Sequence, residues 1–141
     1  FRKGRTPHHD TFSKFIKRLG EQIFRKAFEL LLEQVKSFGI VKGEIAAVDS
    51  TIFKAYSRLK PNASPSDPDA ALGIDSQGKV TFGYKLHLTC DAEAEIPLPY
   101  EVTAANVHDT TMFKWLVEDA KHKGFRLRRI TADAGYDRKE K

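Results

Sequence analysis

"VTFGYKLHLTCDA", residues Val80–Ala92, alternates apolar and polar side chains with a period of two. Phe82, Tyr84, Leu86, Leu88 and Cys90 fall on one side, and Gly83, Lys85, His87 and Thr89 on the other. That period belongs to a β-strand.

Upstream, "EIAAVDSTIFKAY" (Glu44–Tyr56) reads as another strand over about Glu44–Phe53. Its apolar run, Ile45–Val48 and then Ile52 and Phe53, is broken by Asp49, Ser50 and Thr51. A carboxylate in such a run is costly unless it is paired, hydrogen-bonded or holding a metal. Between the two strands, Ser57–Lys79 has three of the six prolines and many Ser, Asp and Asn, so it reads as a loop. Downstream, "DAEAE" turns the chain. "IPLPYEVTAA" then gives a third strand, with Pro97 and Pro99 confined to its start. Asn106–Asp109 caps a helix of roughly Thr110–Lys123, ended by Gly124. "RLRRITADAGYD" reads as a fourth strand whose C-terminal end carries Asp133.

The first ten residues, "FRKGRTPHHD", read as a loose basic arm. Asp10 or Thr11 can cap a helix beginning at Phe12, with Phe12, Phe15, Ile16 and Leu19 on one face. Gly20 stops or sharply bends it, and a second helix runs from about Glu21 to Ser37. Lys14, Lys17, Arg18, Arg25 and Lys26 lie on the outer faces, either to contact DNA or as a solvated surface over helices packed on the next domain. The expected division is a basic arm and helical segment over 1–40 and a larger domain over 41–141.

The order is thus helices followed by β-β-β-α-β. Three consecutive strands most simply form an antiparallel meander, and the helix lets the fourth return parallel to an earlier one. If it returns beside the first, Asp49 and Asp133 become neighbours. Two such carboxylates repel each other unless a cation lies between them. Mg²⁺ suits the site, with hard oxygen ligands completed by water and phosphate.

Composition narrows the partner. The 141 residues are 40% hydrophobic with ten Phe, enough for one core. Net charge is +5, but residues 1–60 carry 13 Lys and Arg against 6 Asp and Glu, a net of +7. A basic front end suits a polyanion such as nucleic acid, or is simply a solvated helical surface. Cys90 is the only cysteine, which excludes an intrachain disulfide framework and fits a reducing cytoplasm. No apolar run approaches a membrane span, and no phosphate-cradling GxxxxGK[ST] occurs.

"VDST", "SDPDAALG", "GYKLHLTCD", "IPLPYEVTAANVHD" and "ITADAGYD" follow one another in order. Together they resemble the DDE transposases of bacterial insertion sequences over about residues 10–141. The resemblance implies a ribonuclease H-like mixed sheet, incomplete here, with Asp49 of "VDST" and Asp133 of "TADAGYD" as catalytic and metal-binding residues. It implies a third acid, a Glu on a later helix. Glu140 is too close to Asp133 for that role, and the chain is expected to be C-terminally truncated. The implied chemistry is metal-assisted phosphoryl transfer with two Mg²⁺, Mn²⁺ substituting, about 3.5–4 Å apart. Asp49 would bridge them and Asp133 would hold one. The implied partner is double-stranded DNA, both element ends and target; a homodimer is compatible with it, a membrane is not. The implied location is the bacterial cytoplasm at the nucleoid.

Other residues have two readings each. Lys85 and Arg58 are candidate DNA contacts, and Lys85 with His87 otherwise sits on a solvated sheet edge. Asp109 is explained by helix capping, and Asp67, Asp69 and Asp75 by turn chemistry. His8, His9 and Asp10 suggest a metal site or merely a basic arm. "KHKGFRLRR" (Lys121–Arg129) contacts DNA backbone or forms a solvated rim. Tyr136 is a nucleophile or a packing and positioning residue. A non-catalytic DNA-binding remnant of a transposase is the alternative function, and a nuclease for RNA–DNA hybrids a third.

Overall fold

The structure, a computed structural model, describes residues 7–57, 66–75, 77–133 and 136. The chain divides into two compact units, Phe1–Ile40 and Val41–Lys141.

The first unit contains α1, His9–Ser37, interrupted at Gly20, where φ is 73° and ψ is 166°. The left-handed φ is open to glycine and costly for other residues, so the predicted break falls there. The helix begins earlier than its capping signals suggest. His8, and not Asp10 or Thr11, is the N-cap, its ring accepting from the Asp10 N–H at 3.4 Å. Asp10 therefore lies in the first turn, where a carboxylate complements the helix dipole. Phe12, Phe15, Ile16 and Ile23 each expose more than half of their surface.

Among the described residues, the second unit is a five-stranded mixed sheet with one helix: β1 (Ile45–Lys54), β2 (Ala71–Ile74), β3 (Val80–Asp91), β4 (Ile96–Ala104), α2 (Asp109–His122) and β5 (Arg129–Ala132). β3 pairs antiparallel with β1, β2 and β4, and β5 pairs parallel with β1. The β1, β3, β4 meander and the parallel return of β5 after α2 follow the element order. The earlier strand that β5 joins is β1, the case in which Asp49 and Asp133 become neighbours, and the sheet is consistent with a ribonuclease H-like fold.

β2 corrects the reading of Ser57–Lys79 as loop throughout. Its four residues are too short for a period to show, and Gly73 hides the reason it fits. A Cβ there would lie 2.3 Å from the Ala105 carbonyl oxygen, so only glycine lets the strand approach the end of β4. β4 tolerates proline because, among the described residues, it pairs only with β3. The register jumps from Leu88↔Tyr100 to Cys90↔Pro97, so buried Leu98 and Pro99 sit in a bulge where Pro99 owes no ladder hydrogen bond. β5 ends at Ala132, shorter than its sequence signal, and leaves Asp133 just beyond the strand.

Burial across β3 runs against hydrophobicity. Gly83, Lys85, His87, Thr89 and Asp91 are buried, while Phe82, Tyr84, Leu86, Leu88 and Cys90 are only half-buried. The polar face carries Lys85, whose amine bonds to α2, so α2 covers that face; Leu116 and Ala120 of the helix are fully buried. Most buried polar groups are hydrogen-bonded. Asp91 meets this fully: Oδ2 accepts from Lys42 N (3.1 Å) and Gly43 N (2.8 Å), and Oδ1 from Glu93 N (2.9 Å) and Ala94 N (3.0 Å). Burial raises its pKa, but the four N–H groups outweigh that and hold it below the ordinary carboxylate value.

Candidate active site

The last register pair of the parallel ladder is Val48↔Ala132. Asp49 and Asp133 are the next residue on each chain, so they occupy adjacent places at one end of the β1–β5 pairing. Both are exposed, and both line one open groove with Lys85, Asp109 and Tyr136. The Ser50 N–H donates to Asp49 Oδ1 at 2.7 Å, which fixes that oxygen against its own backbone. The Thr131 hydroxyl donates to Ala46 O at 3.3 Å and ties β5 to β1 just before the two acids.

Lys85 is not on a solvated edge. It is 8% exposed, and its amine donates to Val107 O at 3.0 Å and to Asp109 Oδ1 at 3.1 Å. Asp109 is accordingly not the cap of α2. His108 is, its ring accepting from the Thr110 N–H at 3.4 Å, and Asp109 is the first helical residue, where its carboxylate also meets the helix dipole. The imidazole of His87, with no exposed surface, lies beside this pair. The Thr103 hydroxyl donates to Ala104 O, so the 3.0 Å contact between His87 Nε2 and Thr103 Oγ1 assigns the ring proton to Nε2. Nδ1 then faces Asp109 Oδ1 at 3.5 Å without a hydrogen bond. Burial lowers the His87 pKa and Lys85 adds to the effect, against Asp109 and Glu101, so the ring is neutral at pH 7.

Tyr136 also lines the groove. Its N–H donates to Asp133 O at 3.0 Å, and its ring lies 5.8 Å from that of Phe113 on α2. Burial raises its phenol pKa. The Ser50 hydroxyl opposes the rise without completing a hydrogen bond of good geometry, and Asp109, Asp49 and Asp133 add to it. The phenol therefore stays protonated at neutral pH.

The remaining candidates separate. Arg58 and Glu140 lie outside the described residues. Asp75 does turn work, accepting from Gln77 N and Lys79 N, whereas Asp67 accepts the Tyr84 hydroxyl at 2.6 Å. His8, His9 and Asp10 bring one ligand atom each to within 4.8 Å of one another, all exposed at the start of α1. The Lys85–Asp109 pair went unread because its partners sit on different elements. The available signal was a row of polar residues at strand spacing that includes a lysine.

A family model for the transposase DDE domain matches residues 41–141, and the chain belongs to that family. No curated protein and no solved structure gave a match. Among the described residues, no helix is long and apolar enough to cross a membrane.

Proposed function

We propose that this chain serves DNA transposition of a bacterial insertion sequence, as part of a transposase catalysing metal-dependent strand cleavage and transfer. The observation that carries the reading is the adjacency of Asp49 and Asp133 beyond the Val48↔Ala132 pair, in a groove that also holds a buried lysine. The donor set fits a hard divalent cation: two exposed carboxylates opening on solvent, where water and phosphate complete the coordination. Asp49 and Asp133 would hold Mg²⁺, or Mn²⁺ in its place, and such an ion would supply Lewis-acid activation of a water or a DNA 3′-hydroxyl and charge stabilisation of the leaving oxygen.

The chain's own residues supply position and charge. Asp49 is fixed by strand pairing and by the Ser50 N–H, and Asp133 by the turn closed at Tyr136. The Lys85 ammonium, anchored by Asp109 and Val107 O, presents positive charge to a phosphate oxygen in the groove. Arg58 and the basic residues of 1–60 contact the backbone of double-stranded DNA at element ends and target. Residues 1–40 act as the helical DNA-contacting segment and 41–141 as the catalytic part; a homodimer would bring two element ends together. A two-metal site needs a third acid, the Glu on a later helix that the family resemblance implies.

Calorimetry with Mn²⁺ tests the site, and Asp49→Asn should abolish binding. Supercoiled-plasmid nicking tests the reaction. The chain alone should be inactive or very slow. The chain joined to a following helix that bears the Glu should nick with Mg²⁺ and lose this in Asp133→Ala. Inactivity of that longer protein with both metals on its own element ends overturns the enzyme reading in favour of a DNA-binding remnant.

A further inference from the structure

Asp49 lies within a ten-residue strand, but Asp133 has no strand of its own, since β5 stops at Ala132. Something other than the sheet must fix it at the groove. Three observations converge on one residue. The Tyr136 N–H closes a turn on Asp133 O at 3.0 Å. The Tyr136 ring is half-buried and packs at 5.8 Å, tilted by 53°, on Phe113 of α2. The phenol lines the groove with Asp49, Asp133 and Asp109, beside Ser50, the residue whose N–H holds Asp49.

We infer that Tyr136 is the positioning residue of the two-aspartate site, clamping the Asp133 turn to α2 through its ring. β5 contributes only four paired residues, so without the clamp the chain after Ala132 frays from the sheet. Asp133 then spends most of its time away from Asp49, and a cation loses one of its two protein ligands. The ring carries this role, because the contact to α2 is aromatic. The hydroxyl does not.

Two measurements on the whole chain test it, with Tyr136→Ala and Tyr136→Phe compared. The first needs no metal: hydrogen exchange of the segment Arg129–Tyr136. Tyr136→Ala should speed it about tenfold while β1, β3 and β4 keep their protection, and Tyr136→Phe should leave it unchanged. The second is Mn²⁺ affinity, which rests on the proposed metal site. Partners that orient a ligand typically matter by about 10–100-fold, so Tyr136→Ala should weaken binding by about tenfold and Phe should restore it. If Tyr136→Ala unfolds the protein, Phe113→Leu, which removes the ring partner from α2, should give the same two changes. Unchanged exchange in Tyr136→Ala or in Phe113→Leu overturns the clamp, whatever the metal does. Failure of the unaltered chain to bind Mn²⁺ sinks the metal reading alone, and the exchange result still decides the clamp.

Discussion

The Lys85 amine donates to the Asp109 carboxylate at 3.1 Å, joining the middle of β3 to the first residue of α2. The side chains keep 10% and 27% of their exposure, so this is a largely desolvated ion pair. Removing one partner from such a pair strands the other charge, whereas replacing both by apolar groups does not.

Asp109→Ala should therefore destabilise the protein by about 2–3 kcal/mol, somewhat less than for a fully buried pair, because Asp109 still touches water. The double change Lys85→Met with Asp109→Leu should recover most of that loss. Urea denaturation of the single and double variants measures both. Equal losses in the single and double variants would show that packing, not the stranded charge, sets the cost.

Asp91 should govern part of the acid stability. Its folded pKa lies below its unfolded value, near 3.9. Its contribution is therefore fully present above the unfolded value and is lost as pH falls through the folded one. Asp91→Asn presents an N–H₂ group to a ring of N–H donors and should cost about 2–3 kcal/mol at pH 7. The gap between variant and parent should close below the ordinary carboxylate range, as thermal melts from pH 7 to pH 2 would reveal. A gap that stays constant would assign the cost to shape alone.

The Tyr84 phenol is pushed up to about 12, chiefly by its hydrogen bond to Asp67. Ultraviolet titration should find one tyrosine ionising that late, and Asp67→Asn should return it toward the ordinary value near 10. No change in Asp67→Asn would mean that residues 66–70 are not tied to β3 in solution.

Duplex DNA should bind mainly through phosphates, given the net +7 of residues 1–60. With roughly five phosphates neutralised, the log–log slope of affinity against salt should be about −4.5. Anisotropy titrations at several salt concentrations give the slope directly. A flat dependence would remove the polyanion interpretation of the basic front end.

Much of the fold was legible because its signals are local. The alternation in Val80–Asp91, the break at Gly20 and the helix before Gly124 each need only a few residues of context. Asp49 announced itself as a charge inside an apolar run, and the strand order carried Asp133 to its side. β2 was illegible because its place depends on a close approach to Ala105. The Lys85–Asp109 pair was hidden for a related reason: each residue has an adequate local explanation, a sheet edge and a helix cap, and only packing makes them partners. The burial of the polar face of β3 was hidden too, since hydrophobicity alone points to the opposite face.

The strand pairings differ greatly in the length of chain they close. β3 and β4 are joined by a short turn, but the Thr131 hydroxyl reaches an Ala46 carbonyl 85 residues away. Pairings between distant segments form late, because loop-closure entropy must be overcome before their contacts are gained. The antiparallel strands can thus assemble during synthesis while β5 is still being made. A nascent chain exposes Asp49 as a solitary carboxylate on a finished strand, and the second acid arrives only with the longest-range pairing in the sheet. Asp49 and Asp133 are therefore brought together only by the longest-range of these strand pairings, and whatever a chain does with both acids at once waits for β5.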